Sequence, residues 1–211
     1  MGIRQEKFEE LLLKKYSIFK HKKLTALEAE KSEYFDIISN VYRKLGGQLN
    51  RIPINYGSWD ISTTKFIIEL DEERHFNRYR LETLESEFYK KINNFSVDNY
   101  KKYCLSFENK CLSAAKWRGN WKNASTERMF LKSDENGILS DSGSSRWRQR
   151  AYYDFLKDVT SKIRNTPLIR ISVYDKFHGE TIEELLKQNN TIKLNLLIDN
   201  INPTGISLTS K

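Results

Sequence analysis

The stretch Tyr56–Phe76, YGSWDISTTKFIIELDEERHF, decides how the rest of the chain is read. Phe66, Ile67 and Ile68 are aromatic or β-branched and need burial, so Lys65–Leu70 reads as an inner strand with an acidic end. The pleat of such a strand puts Glu69 and Asp71 on one side. Asp60 closes a preceding short strand, and Ser62-Thr63-Thr64 suits a tight connection, so a hairpin sets Asp60 beside Glu69. Carboxylates gathered in this way repel one another unless protons or a hard divalent cation compensate, and Mg²⁺ (or Mn²⁺) prefers oxygen ligands. Histidine is the side chain that serves most readily as acid or base near neutral pH, and His75 follows the strand directly. A plainer reading fits the same residues: a solvated strand-to-helix loop in which Asp71 caps a helix.

The spacing of Asp60, Glu69, Asp71 and His75 resembles the PD-(D/E)xK nuclease superfamily, most of all the branch related to very-short-patch repair endonucleases, where a strand ends in E-x-D-G-x-x-H. Here the string is E-L-D-E-E-R-H. No Lys stands two residues after Glu69, a departure that branch shares, and Glu72 replaces its usual Gly. The resemblance covers the motif, the helix before it, and the helix and strand from Arg146 to Tyr174. It implies an α/β fold, with a restriction-endonuclease-like mixed β-sheet flanked by helices and a helical/loop insertion. It also implies a Mg²⁺-dependent DNA endonuclease, in restriction, repair or phage defence. Asp60 and Glu69 would ligate the metal, joined by Glu30 or Glu33 from the preceding helix, with Asp71 orienting water and His75 as general base or acid. Two alternatives stay open: a catalytically inactive nucleic-acid-binding or regulatory module of the same fold, and a non-enzymatic protein-interaction domain.

With 211 residues the chain suffices for one well-buried core. Residues 1–23 read as an N-terminal helix able to dock on the body, a partner or a second copy, and 24–211 as a single nuclease-like domain with an insertion at about 93–145. A net charge of +8 and a pI near 9.3 favour a polyanionic partner, DNA above all. No apolar run reaches membrane-spanning length and the N-terminus lacks a signal-peptide pattern, so the expected location is the cytoplasm, with no membrane partner. Cys104 and Cys111 read as core thiols two turns apart on one helix.

Basic and stackable side chains mark the expected nucleic-acid surface. Arg74 and Arg78 open the helix after His75, where an anion would offset their charge against the helix dipole. Trp117, Arg118, Trp121, Arg146, Arg148 and Arg150 lie in an irregular stretch rich in Gly and Ser, suited to phosphates and unstacked bases; a long loop pinned by its Trp residues suits it nearly as well. From Ala151 the pattern is helical until Asn165-Thr166-Pro167. The strand Leu168–Tyr174 follows, with Ile169, Ile171 and Val173 on one side and Arg170, counted among the expected nucleic-acid contacts, on the other. Ile192, Leu194, Leu196 and Ile198 alternate as a last strand.

Overall fold

Thr63 shapes the turn on which the sheet is built. Its hydroxyl donates to the Phe66 carbonyl at 2.8 Å and accepts from the Phe66 and Lys65 amides at 3.1 and 3.2 Å. In the computed structural model, which describes residues 3–92, 94–115, 120–202 and 205–206, this turn joins β1 (Ile61–Ser62) to β2 (Ile67–Asp71) as an antiparallel pair. β3 (Leu168–Ser172) lies parallel to β2, so the sheet runs β1-β2-β3. This is the mixed three-strand arrangement expected from the sequence, in an α/β chain.

All residues of β2 and β3 are buried, yet the two sides of the sheet differ in kind. Ile68, Leu70, Ile169 and Ile171 form an apolar side. The register pairs Glu69 with Arg170 and Asp71 with Ser172, which makes the other side polar. Helix α8 (Ser145–Ile163) covers that polar side, buried along most of its length.

The remaining elements correct several expectations. Helix α1 (Ile3–Leu13) ends well short of the expected residue 23; Phe8, Leu11 and Leu12 are buried, and the helix packs on α9 (Ile182–Lys187) and α10 (Thr191–Asp199). Beyond it the chain is extended, and Phe19 donates its amide to the Ser62 carbonyl at 3.0 Å, leaving the Ile18 and Phe19 side chains exposed. The next helix is two, α2 (Ala26–Glu30) and α3 (Phe35–Lys44). Thr25 and Glu28 cap α2 reciprocally, and the Ser32 hydroxyl returning to the Ala29 carbonyl closes it. Gly46, at φ +81°, follows α3 in a conformation that disfavours a side chain.

After α4 (Arg78–Leu84), the single helix expected around the cysteines is α5 (Val97–Ser106) and α6 (Glu108–Ala115), hinged at Phe107, with Cys104 and Cys111 one on each, free and buried. A short α7 (Ala124–Met129) precedes α8. The expected last strand is α10. Leu194, Leu197 and Ile198 are buried at i, i+3 and i+4, while Ile192 and Leu196 are exposed, so helical periodicity wins over an accidental alternation. Among the described residues no helix is long and apolar enough to cross a membrane.

Candidate active site

The hairpin brings the two leading carboxylates together. The Asp60 amide donates to Glu69 Oε1 at 3.2 Å, and the Leu70 amide donates to Asp60 Oδ2 at 2.9 Å. Asp60 Oδ1 accepts from no described residue. Lys157 of α8 donates from Nζ to the other Glu69 oxygen, Oε2, at 2.6 Å. Asp60, Glu69, Lys157, His75, Arg146 and Arg150 face a cleft of about 270 Å³, together with Asp154 and Tyr153.

Burial sets the protonation of this floor. It pushes Glu69 up to about 7, opposed by the Lys157 ammonium and reinforced by Asp60. Asp60 is also raised, first by burial, with Lys157 working against the rise. For Lys157 the burial that would lower its pKa is outweighed by Glu69 and Asp154, and the net direction is up. A cationic Lys157 beside an ionisable Glu69 is the state this pair favours at neutral pH and above.

His75 stands on a single 3₁₀ turn after β2, at the cleft wall. Its Nδ1 lies 2.8 Å from Asp154 Oδ2 and 3.2 Å from Asp71 Oδ1. Arg150 lies 3.2 Å from Nε2. A guanidinium only donates, so Nε2 is the acceptor here and Nδ1 carries the hydrogen towards Asp154. On Asp154, burial would raise the pKa, but His75, Arg170 and Arg80 overcome it and hold the carboxyl well below its usual range.

Asp71 and Arg170 belong to the support beneath the cleft. Both oxygens of Asp71 take Arg170 at 2.8 Å, and Oδ2 also accepts from the Tyr100 hydroxyl at 2.9 Å. Arg170 continues to Asp158 at 2.6 Å, and Asp158 takes Arg80 at 2.9 Å. Asp71, His75 and Asp154 place one ligand atom each within 4.8 Å of one another. A cation there would compete with the guanidinium already held by both Asp71 oxygens, so the triad is a poorer metal site than the Asp60 and Glu69 pair.

The nucleic-acid residues named from sequence divide sharply. Arg146 and Arg150 face the cleft. Arg148, two residues from each on the same helix, points elsewhere: it is buried, donates to the Ser142 and Leu45 carbonyls, and lies over the Tyr79 ring. Arg170 is buried in the ion cluster, so it is a core residue rather than a phosphate contact. Trp121 is buried against Trp147 and donates to the Asp134 carbonyl. Arg78 closes on Glu108 with two donors at 2.9 and 2.8 Å, and Arg74 donates to Asn120. Trp117 and Arg118 lie outside the described residues. Glu30 and Glu33 are exposed and away from the cleft; Glu30 pairs loosely with Arg51 at 3.6 Å.

Lys157 and Asp154 are the site residues that sequence reading missed. The signal was helical spacing: Arg146, Arg150, Asp154 and Lys157 recur at steps of four, four and three, which places them on one face of α8.

Residues 40–188 match a family described as a family of unknown function, DUF7255. The chain belongs to that family. The DUF7255 match runs from within α3 to just past α9, so it contains the whole cleft and its ion cluster and leaves out α1 and α10. No curated protein and no solved structure matches the chain closely enough to count as a relative.

Proposed function

We propose that this DUF7255 chain is a Mg²⁺- or Mn²⁺-dependent endonuclease that hydrolyses phosphodiester bonds in DNA, with a site of the restriction-endonuclease-like type. The observation that carries the reading is the meeting of Asp60, Glu69 and Lys157 on a cleft floor. The strand lacks a Lys two residues after Glu69, and α8 supplies an ammonium group beside Glu69 instead.

The residues fit a hard cation. Two carboxylates, Asp60 just ahead of β1 rather than at the end of a strand and Glu69 on β2, present oxygen donors, one of which, Asp60 Oδ1, is free of hydrogen bonds from described residues. The raised Glu69 marks a place where added positive charge is welcome. Asp60 and Glu69 would hold the ion, which when bound polarises a phosphoryl oxygen and makes water more acidic at neutral pH. Lys157 favours the ionised form of Glu69 against burial and adds positive charge where a phosphate would sit. His75, its ring fixed by Asp154, offers a nitrogen lone pair at the cleft wall. Arg146 and Arg150 give the cleft a positive rim for a polyanion.

A second reading has its own observation. Lys157 already neutralises Glu69 without a metal, which suits a nucleic-acid-binding module that does no chemistry. Incubation with double- and single-stranded DNA and with RNA, in Mg²⁺, Mn²⁺ or EDTA, separates the two. Metal-dependent cleavage of DNA is expected; binding without cleavage under every condition would favour the second reading.

A further inference from the structure

Five of the described arginines are matched closely to carboxylates: Arg4 to Glu73 and Glu183, Arg78 to Glu108, Arg80 and Arg170 to Asp158, Arg164 to Glu28. Arg146 and Arg150 are not. Among the described residues neither has a carboxylate within ion-pair distance. Arg146 donates to Gln149 of its own helix, and Arg150 donates to His75. They are one helical turn apart, both facing the cleft that contains Asp60 and Glu69.

Two guanidiniums one turn apart with no ion-pair partner of their own are costly. Burial lowers the Arg150 pKa, and the positive charges of Arg74 and Arg146 lower it further against the pull of Asp154. The contact Arg150 does make is a poor match for a guanidinium, which pairs far better with the oxygens of a phosphate than with an imidazole nitrogen. It also covers the ring atom that would otherwise face the cleft. With Nδ1 committed to Asp154, Nε2 is the lone pair His75 has to offer, and Arg150 occupies it.

We propose that Arg146 and Arg150 form a subsite for a backbone phosphodiester next to the scissile one, and that its oxygens draw Arg150 off His75 so that Nε2 opens to the cleft. The proposal rests on the nucleic-acid reading above and deepens it. Substrate binding and exposure of the imidazole become one event, and in the free protein His75 is capped. Electrostatic focusing into a cleft makes such a phosphate contact sensitive to salt.

The test uses the full chain in EDTA, so that binding is read without catalysis. The ligands are a thymidine trinucleotide with free hydroxyl ends, the same trinucleotide with a 5′-phosphate, and inorganic phosphate. The readouts are affinity, its salt dependence and the ¹⁵N shift of His75 Nε2, assigned by its loss in His75→Gln. The expected result is that the unphosphorylated trinucleotide binds and moves the Nε2 resonance. Arg146→Ala and Arg150→Ala should each weaken binding at least about tenfold and reduce the salt slope by about one. Arg150→Ala should also leave Nε2 unresponsive to ligand. Unchanged affinity in both variants, binding with a silent Nε2, or no binding at all would overturn the proposal. Equal affinity for inorganic phosphate would assign the subsite to a free anion and overturn it too. A protein that binds as described but cleaves nothing with metal keeps the subsite and loses the nuclease reading.

Discussion

Lys157 Nζ lies 2.6 Å from Glu69 Oε2, joining helix α8 to the central strand across 88 residues of sequence. Each partner is nearly or fully buried, so the pair is judged by what its loss leaves behind. A surface pair of this kind is worth about 0–1 kcal/mol; a buried one strands a charge when broken.

Lys157→Met should therefore destabilise the protein, by as much as about 3 kcal/mol at pH 8 and less at pH 6. Glu69 escapes an unpaired charge by taking a proton, and acid makes that easier. Denaturant titration at the two pH values checks this. Equal losses at both would mean that the ammonium does not control the charge on Glu69.

Burial raises Glu69 to about 7 and Asp175 to about 6. A carboxyl raised in the folded state binds a proton that the unfolded chain has already released, so the stabilising effect is present at low pH and declines as pH rises through the folded value. Metal-free protein should lose stability between about pH 5 and pH 7, with Glu69 accounting for up to about 3 kcal/mol. Glu69→Gln should flatten that decline, leaving the smaller part due to Asp175. Stability curves in EDTA measure it; a slope unchanged in Glu69→Gln would place the proton uptake elsewhere.

Arg170→Met removes the guanidinium shared by Asp71 and Asp158, and should cost on the order of 3–5 kcal/mol. Arg78→Ala, which loses a partly exposed pair with Glu108, should cost about 0–1 kcal/mol. Thermal unfolding of the two variants compares core and surface directly. Similar small losses would show that Arg170 is dispensable to the fold.

Arg148→Ala and Arg146→Ala test the face of α8. The first should lower the melting temperature with the salt slope of DNA binding unchanged, because Arg148 satisfies buried carbonyls. The second should lower the slope by about one with little effect on melting. A reversal would exchange the two faces.

Much of the sheet was legible because its signals were local. The run Phe66–Leu70 demanded burial, and the Ser-Thr-Thr connection by itself places Asp60 against Glu69. The partners of these residues were not local. Lys157 and Asp154 come from a helix whose apolar positions, Tyr152, Phe155 and Val159, mark only one of its buried faces. Its polar face is buried as well, against a polar sheet side that only the parallel pairing of β2 and β3 creates. Arg148 was grouped with Arg146 and Arg150 because an irregular stretch was expected; once α8 begins at Ser145, alternate arginines must part. The last helix misled because Ile192, Leu194, Leu196 and Ile198 satisfy a period of two by chance, while the tertiary contacts select Leu194, Leu197 and Ile198.

The central claim is that Asp60 and Glu69 hold a divalent ion that cleavage of DNA requires. The direct measurement is single-turnover cleavage of a DNA duplex by wild type, Asp60→Asn and Glu69→Gln, with Mg²⁺ titrated and the melting temperature of each protein followed in the same series. Wild type should cleave and should gain thermal stability as Mg²⁺ rises, since an ion that binds only the folded state stabilises it by mass action. Both variants should stay folded, lose cleavage by at least about a thousandfold and lose the Mg²⁺-dependent gain, for the ligand charge is gone while its shape remains. Cleavage and a metal-dependent gain retained in both folded variants would contradict the account.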